Sequence, residues 1–338
     1  MLQELKWGVS FAALLLAACG NSPEDNTLPA PDVSEDIAQP QTTDTDNADT
    51  DNTDTAQQDD TDAGGLPETD IFIADIIWAD DLPSLNGIRA LTAPGLYDNQ
   101  PAFDGAGGIY FTSETPGDQT DIRHMNIASG ELRIVTNTAE ESEYSPRLSP
   151  DGRSVTYIHQ APGDVGGQVW RQSLENSMAG PVHEYGPAGY YALAGDQSEM
   201  LLFALTDPFT LRWANFDLGT VVEISEGIGR ALYTAPDGES AYFTLEQPEG
   251  GWQVHQFQFA DQSITPLFQL PGTSEDYAVF QTPQGELAWF AVSEGTLFYQ
   301  LNQTGWQPVS DLTQSGLEGI SRLAVSSQAD MLAIVAEE

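Results

Sequence analysis

Pro146-Arg-Leu-Ser-Pro-Asp-Gly-Arg-Ser-Val-Thr-Tyr157 decides the fold: Ser149-Pro150-Asp151-Gly152 separates two runs whose apolar residues fall at strand-like spacing. Proline presets its own φ, aspartate bonds back to the backbone, and glycine accepts the positive φ that sends the second strand back in register. A β-hairpin is therefore expected. Thr234-Ala-Pro-Asp-Gly238 repeats the turn almost intact, and Thr282-Pro-Gln-Gly285 keeps the proline and glycine. Asp104-Gly105, Gly195-Asp196 and Ser326-Ser-Gln-Ala329 read as decayed copies. Each copy leads into a short apolar run closing on an anchor: Phe111, Tyr157, Phe203, Phe243, Phe290 and Ile334. Their separations of 46, 46, 40, 47 and 44 residues define an internal repeat.

A second hairpin follows inside each unit. Asp121-Ile-Arg-His-Met-Asn-Ile127 turns at Ser129-Gly130 into Glu131-Leu-Arg-Ile-Val-Thr136, and Gly295-Thr-Leu-Phe-Tyr-Gln-Leu301 turns at Thr304-Gly305. Four short strands in about 45 residues make a propeller blade. After Ile334 four residues remain, enough for only half a sixth blade. The missing pair is expected in Asp70-Ile-Phe-Ile-Ala-Asp-Ile-Ile-Trp78 and Gly87-Ile-Arg-Ala-Leu-Thr92, which removes two free sheet edges. The fold class expected is all-β: a six-bladed propeller of four-stranded blades, the last closed by N-terminal strands, behind a disordered N-terminal tether.

The recurrent turn phrase, followed by a strand ending in an aromatic and later by a Leu/Val-Thr close, resembles the TolB-type propeller repeat over residues 70–338. That resemblance implies the fold. It leaves function open, since it extends to periplasmic scaffold proteins, propellers attached to peptidases, and polysaccharide-degrading propellers. The stretch before Asp70 leaves no room for the separate α/β domain that TolB carries, so TolB's specific role is not expected.

At the amino end, Lys6 precedes an apolar run from Phe11 to Ala18 that is too short to span a bilayer. Leu16-Ala17-Ala18-Cys19 resembles the lipobox of bacterial lipoprotein signal peptides, although Glu4 offsets Lys6. The resemblance implies cleavage before Cys19 and acylation of its thiol, the readily alkylated nucleophile. The alternative is an ordinary secretory signal. Gly20, in place of aspartate, resembles the pattern sorted to the outer membrane of Gram-negative bacteria. The expected division is a signal peptide over 1–18, Cys19 and an acidic linker over 19–68, and the propeller over 69–338. Several acyl chains would hold the protein in the bilayer. Cys19 is the only cysteine, so no disulfide is expected.

Residues 20–68 hold 14 acidic side chains and no lysine or arginine, which predicts a self-repelling tether. Asp44-Thr-Asp46-Asn-Ala-Asp49-Thr-Asp51 invites a calcium reading, but the bending glycine and closing glutamate of an EF-type loop are absent. Of 52 acidic residues, 15 precede Asp70, leaving 37 in the propeller against nine arginines. Such a surface repels nucleic acid and anionic headgroups. Solubility in a salty habitat is the preferred explanation over a cationic partner.

The chain has no Gly-x-Ser-x-Gly elbow, phosphate-binding loop or Ser-x-x-Lys motif. His124, His159, His183 and His255 fall in different repeats and unlike positions, so they read as surface or packing residues and no metal or cofactor is expected. Counting back 13 residues from each anchor, or 12 at the first, lands just before the innermost strands, at Asn99, Tyr144, Tyr190, Arg230, Tyr277 and Ser321. Tyr191 and Arg322 adjoin them. Tyrosine and arginine give a recognition surface its contact area and hydrogen bonds; wedging of the tyrosines between blades is the competing reading. The expectation is a monomeric, non-enzymatic, outer-membrane-anchored module in the periplasm, binding an envelope protein or glycan. The alternative is a carbohydrate-active propeller that binds or cleaves an acidic polysaccharide.

Overall fold

The computed structural model describes residues 66–117 and 119–337. The expected signal peptide, the lipidation of Cys19 and the linker up to residue 65 lie outside the described residues.

Among the described residues, six four-stranded antiparallel sheets account for every strand. Blades 1 to 5 are consecutive in sequence, over residues 98–134, 142–181, 188–226, 228–269 and 277–311. Blade 6 takes its inner strands, Glu318–Val325 and Met331–Glu337, from the carboxyl end and its outer strands, Thr69–Ala79 and Leu82–Ala90, from the amino end. The join is a continuous antiparallel ladder from Thr69↔Glu337 to Asp75↔Met331, as the sequence predicts. The second N-terminal strand begins earlier than the expected Gly87, because Asp80 takes a positive φ of 54° and the chain turns directly after Ala79.

Six apolar clusters fill the six gaps between blades. Ile71, Ile109, Phe111 and Val335 join blades 6 and 1, and Tyr110, Ile122, Val155 and Tyr157 join blades 1 and 2. Equivalent clusters join each later pair, and Phe280, Phe290, Leu323 and Ile334 join blade 5 to blade 6. Second strands are buried on both faces. Met200 and Leu202 pack toward blade 2, while Leu201 and Phe203 pack toward blade 4. The period-2 alternation of a strand thus serves two interfaces at once. The outermost strands are exposed and short in places, as at Leu132–Ile134 and Ala179–Pro181, which blunts the sheet edges.

This alternation corrects two anchors. Most first hairpins close with a bond from residue i to residue i+5, as in Ser149 N to Ser154 O and Ala235 N to Ser240 O. In blades 1 and 5 the bonds, Asp104 N to Gly108 O and Thr282 N to Glu286 O, are one residue shorter. The residue three beyond the closing carbonyl faces the preceding blade in every copy, and in blades 3 and 5 it is Leu202 and Trp289. Phe203 and Phe290 face the following blade instead. A one-residue slip moves a side chain to the opposite face of its sheet. The corrected series of Phe111, Tyr157, Leu202, Phe243, Trp289 and Ile334 has separations of 46, 45, 41, 46 and 45.

Candidate functional site

The side chains counted from the anchors lie within the innermost strands, not just before them, because those strands start earlier than expected. Tyr144, Tyr190 and Arg230 come together at one mouth of the central channel. With Tyr97 they line an outer chamber of about 100 Å³, whose far wall is apolar: Ile158, Phe203, Leu205 and Phe209. Leu66, the first described residue, also lines it. A narrower chamber of about 40 Å³ lies alongside, sharing Gln100, Tyr190 and Arg230 and adding Ser145, Arg147, Tyr233 and Arg322. Three of the nine arginines of the chain therefore converge on it.

A buried polar network holds these groups in place. Arg322 donates from Nη2 to Tyr190 Oη at 2.6 Å, with its guanidinium 4.8 Å from the Tyr190 ring centre. Asp276 accepts from Tyr233 Oη at 2.8 Å and from Leu323 N at 2.9 Å. Burial raises the Asp276 pKa, and the neighbouring Arg322 charge works against that rise. Arg230 donates its backbone N–H to Glu275 at 2.7 Å, with Nε 3.5 Å from the same carboxylate. Arg147 donates to the Leu232 carbonyl at 3.0 Å and lies over the faces of Tyr233 and Tyr191, at 5.2 and 5.8 Å. Gln100 Oε1 accepts from Ser145 N at 2.7 Å and Thr112 Oγ1 at 2.9 Å, tying blade 1 to blade 2 beneath the mouth.

Other ring positions play structural parts. Tyr191 is fully buried between blades 2 and 3, with its hydroxyl 2.9 Å from Thr156 Oγ1 and 3.1 Å from the Ser145 carbonyl, and burial pushes its pKa up to about 12. Tyr277 is fully buried between blades 4 and 5, edge-on to Tyr233 at 5.1 Å. Counting from Phe290 in place of Trp289 selected it; the corrected count lands on Asp276, a member of the network. Asn99 is buried against Thr69, to which its amide donates at 3.3 Å, and Ser321 lines neither chamber. Sequence reasoning missed Tyr97, Gln100, Ser145, Arg147 and Tyr233. Arg147 lies inside the repeated turn phrase itself.

The histidines pack singly. His124 lies 2.9 Å from Asp104, His159 bonds Glu143 at 3.0 Å and packs on Trp170, His183 stacks on Tyr185, and His255 stacks on Phe243. Among the described residues no three His, Cys, Asp or Glu side chains gather as a metal set.

No protein-family model matches the chain, and no curated protein matches it by sequence. Solved structures match it by shape. The TolB-like structure from Agrobacterium tumefaciens is 14% identical with a TM-score of 0.58, over 81% of this chain and 99% of that one. TolB from Acinetobacter baumannii is 11% identical with a TM-score of 0.50; the match takes in 79% of this chain but only 64% of TolB's length. A chain of the nidogen–laminin complex is 10% identical with a TM-score of 0.53, over 73% and 95% of the two chains. At these identities the likeness is one of fold: this chain is a six-bladed β-propeller of the architecture found in TolB.

Proposed function

We propose that this propeller is the non-enzymatic binding module of a lipid-anchored envelope protein, held to the outer membrane through Cys19 and facing the periplasm, and that it takes a protein partner at the channel mouth. The observation that carries this reading is the convergence of Tyr97, Tyr144, Tyr190, Arg230 and Arg322 around one opening. Tyrosine and arginine are the residues on which interface energy concentrates. Tyr190 and Arg322 hold each other through a hydrogen bond before any partner arrives, which lowers the ordering cost of association. The apolar far wall suits an amino-acid side chain better than the hydroxyl-covered ring of an acidic sugar, which counts against a polysaccharide ligand.

Two experiments test the proposal. A photo-crosslinking amino acid at Tyr144, in intact cells, is expected to capture one envelope protein, whereas the same probe at Asp237, on an exposed hairpin turn remote from the mouth, is not. Equal capture at both positions would sink the channel mouth as the contact site. Metabolic labelling with a fatty acid is expected to mark the protein and to be lost in Cys19→Ser; label retained in that variant rules out the anchor.

A further inference from the structure

We infer that the two chambers receive the carboxyl-terminal residue of the partner polypeptide, its free carboxylate in the inner chamber and its apolar side chain in the outer one. This rests on the binding-module reading and names the group that is bound. The inner chamber gathers Arg147, Arg230 and Arg322, in a propeller that carries 37 acidic residues against nine arginines in all. Two carboxylates, Asp276 and Glu275, belong to the same network, so one guanidinium is in excess. The excess falls on Arg147, whose described contacts are a carbonyl and two ring faces.

The polar atoms around it also ask for an acceptor. Ser145 is 6% exposed and lines the chamber, and its Oγ has no partner within the protein; the Nε of Arg147 is buried and unpartnered as well. Buried donors without partners are costly, and a carboxylate oxygen would satisfy both. Size agrees: about 40 Å³ admits roughly three water-sized groups, and a carboxylate has three heavy atoms. The two chambers share Gln100, Tyr190 and Arg230, so a head group and a side chain held in them spring from neighbouring atoms. An α-carbon that bears both is the C-terminal residue of a chain.

The test is fluorescence anisotropy of the full chain with an N-terminally labelled Gly-Ser-Gly-Ser-Phe peptide. Its C-terminal carboxamide twin and unlabelled 3-phenylpropionate complete the set. Saturable binding of the free acid, at least tenfold weaker binding of the amide, and at least tenfold loss in Arg147→Gln are expected. Leu205→Glu, which places a negative charge at the outer wall without touching the network, is expected to weaken the acid more than the amide. Equal affinity of acid and amide overturns the inference, as does calorimetric binding of 3-phenylpropionate with no binding of either peptide, which would make the ligand a small molecule. No binding by either peptide overturns it too, while capture at Tyr144 in cells would still stand.

Discussion

The indole Nε1 of Trp78 donates to the carbonyl oxygen of Ala329 at 2.6 Å, although 251 residues separate them. The same ring meets Phe280 and Tyr299 of blade 5, at 6.3 and 5.9 Å. An N-terminal side chain thus locks the last hairpin to the blade before it. Trp78→Ala is expected to cost about 2–3 kcal/mol, below the range for a fully buried tryptophan because the ring is only half-buried. Chemical denaturation measures it, and a loss below about 0.5 kcal/mol would show that the closure does not depend on this contact.

The turn glycines separate two costs. Gly152 has φ +67° and open space where a Cβ would stand, so Gly152→Ala is expected to cost only the left-handed backbone term, about 1 kcal/mol. Gly238 has φ +75°, and its Cβ would lie 2.7 Å from the Cα of Gly195 in the neighbouring hairpin. Gly238→Ala is expected to cost about 3 kcal/mol, since backbone cannot move aside as a side chain can. Equal losses in the two variants would remove the blade-to-blade contact from the explanation.

Arg322 and Asp276 are tested as a pair. Arg322→Met removes the bond to Tyr190 and leaves the buried Asp276 without the charge that offsets its burial, at about 3 kcal/mol. Adding Asp276→Asn is expected to recover about 1–2 kcal/mol of that loss. Strict additivity in the double-mutant cycle would show that the two groups do not sense each other.

Glu143 makes stability depend on pH. It is wholly buried, with both carboxylate oxygens 3.1 Å from Thr138 Oγ1 and Oε1 3.0 Å from His159 Nδ1. Burial pushes its pKa up to about 8. A carboxyl whose folded pKa is raised keeps a proton that the unfolded chain has released. Its contribution is therefore complete below the ordinary glutamate range and is lost as pH rises through about 8. His159, whose pKa burial lowers, acts in the opposite sense, losing stability as pH falls through its ordinary range. Glu143→Gln imitates the protonated acid and is expected to stabilise the protein at pH 8 relative to pH 5, measured as the shift in denaturation midpoint. A midpoint difference from wild type that is the same at both pH values would contradict the raised pKa.

What the sequence disclosed follows from which physical demands leave a mark on residue type. Pro-Asp-Gly is readable because a tight turn constrains φ, and the six-blade count followed from it. Blade register was less readable. The faces of Phe203 and Phe290 follow from where each hairpin closes, at Glu199 and at Glu286, and those closures show in the hydrogen bonds. The aromatic neighbour therefore stood in for the true counterparts, Leu202 and Trp289. At the channel mouth, the count itself reached Tyr144 and Arg230, reached Tyr190 only from Phe203 in place of Leu202, and reached Arg322 as the neighbour of Ser321. Arg147, Ser145 and Gln100 were not reached. Irregularities in the inner strands, between Tyr144 and Arg147 and between Asn99 and Ala102, swing those side chains inward, and no letter of the sequence announces a bulge there.

The ladder between Thr69–Ala79 and Met331–Glu337 also sets an order of events during synthesis. Thr69–Ala79 and Leu82–Ala90 leave the ribosome together, well before Met331–Glu337 is made to complete their sheet. Until then the cluster around Ile71 and Ile73 lacks Ala333 and Val335, and a row of backbone donors along one edge of Thr69–Ala79 has no ladder partner. A nascent or truncated chain is thus an adhesive one, and a stop codon even ten residues early would leave five blades built and the ring unable to shut.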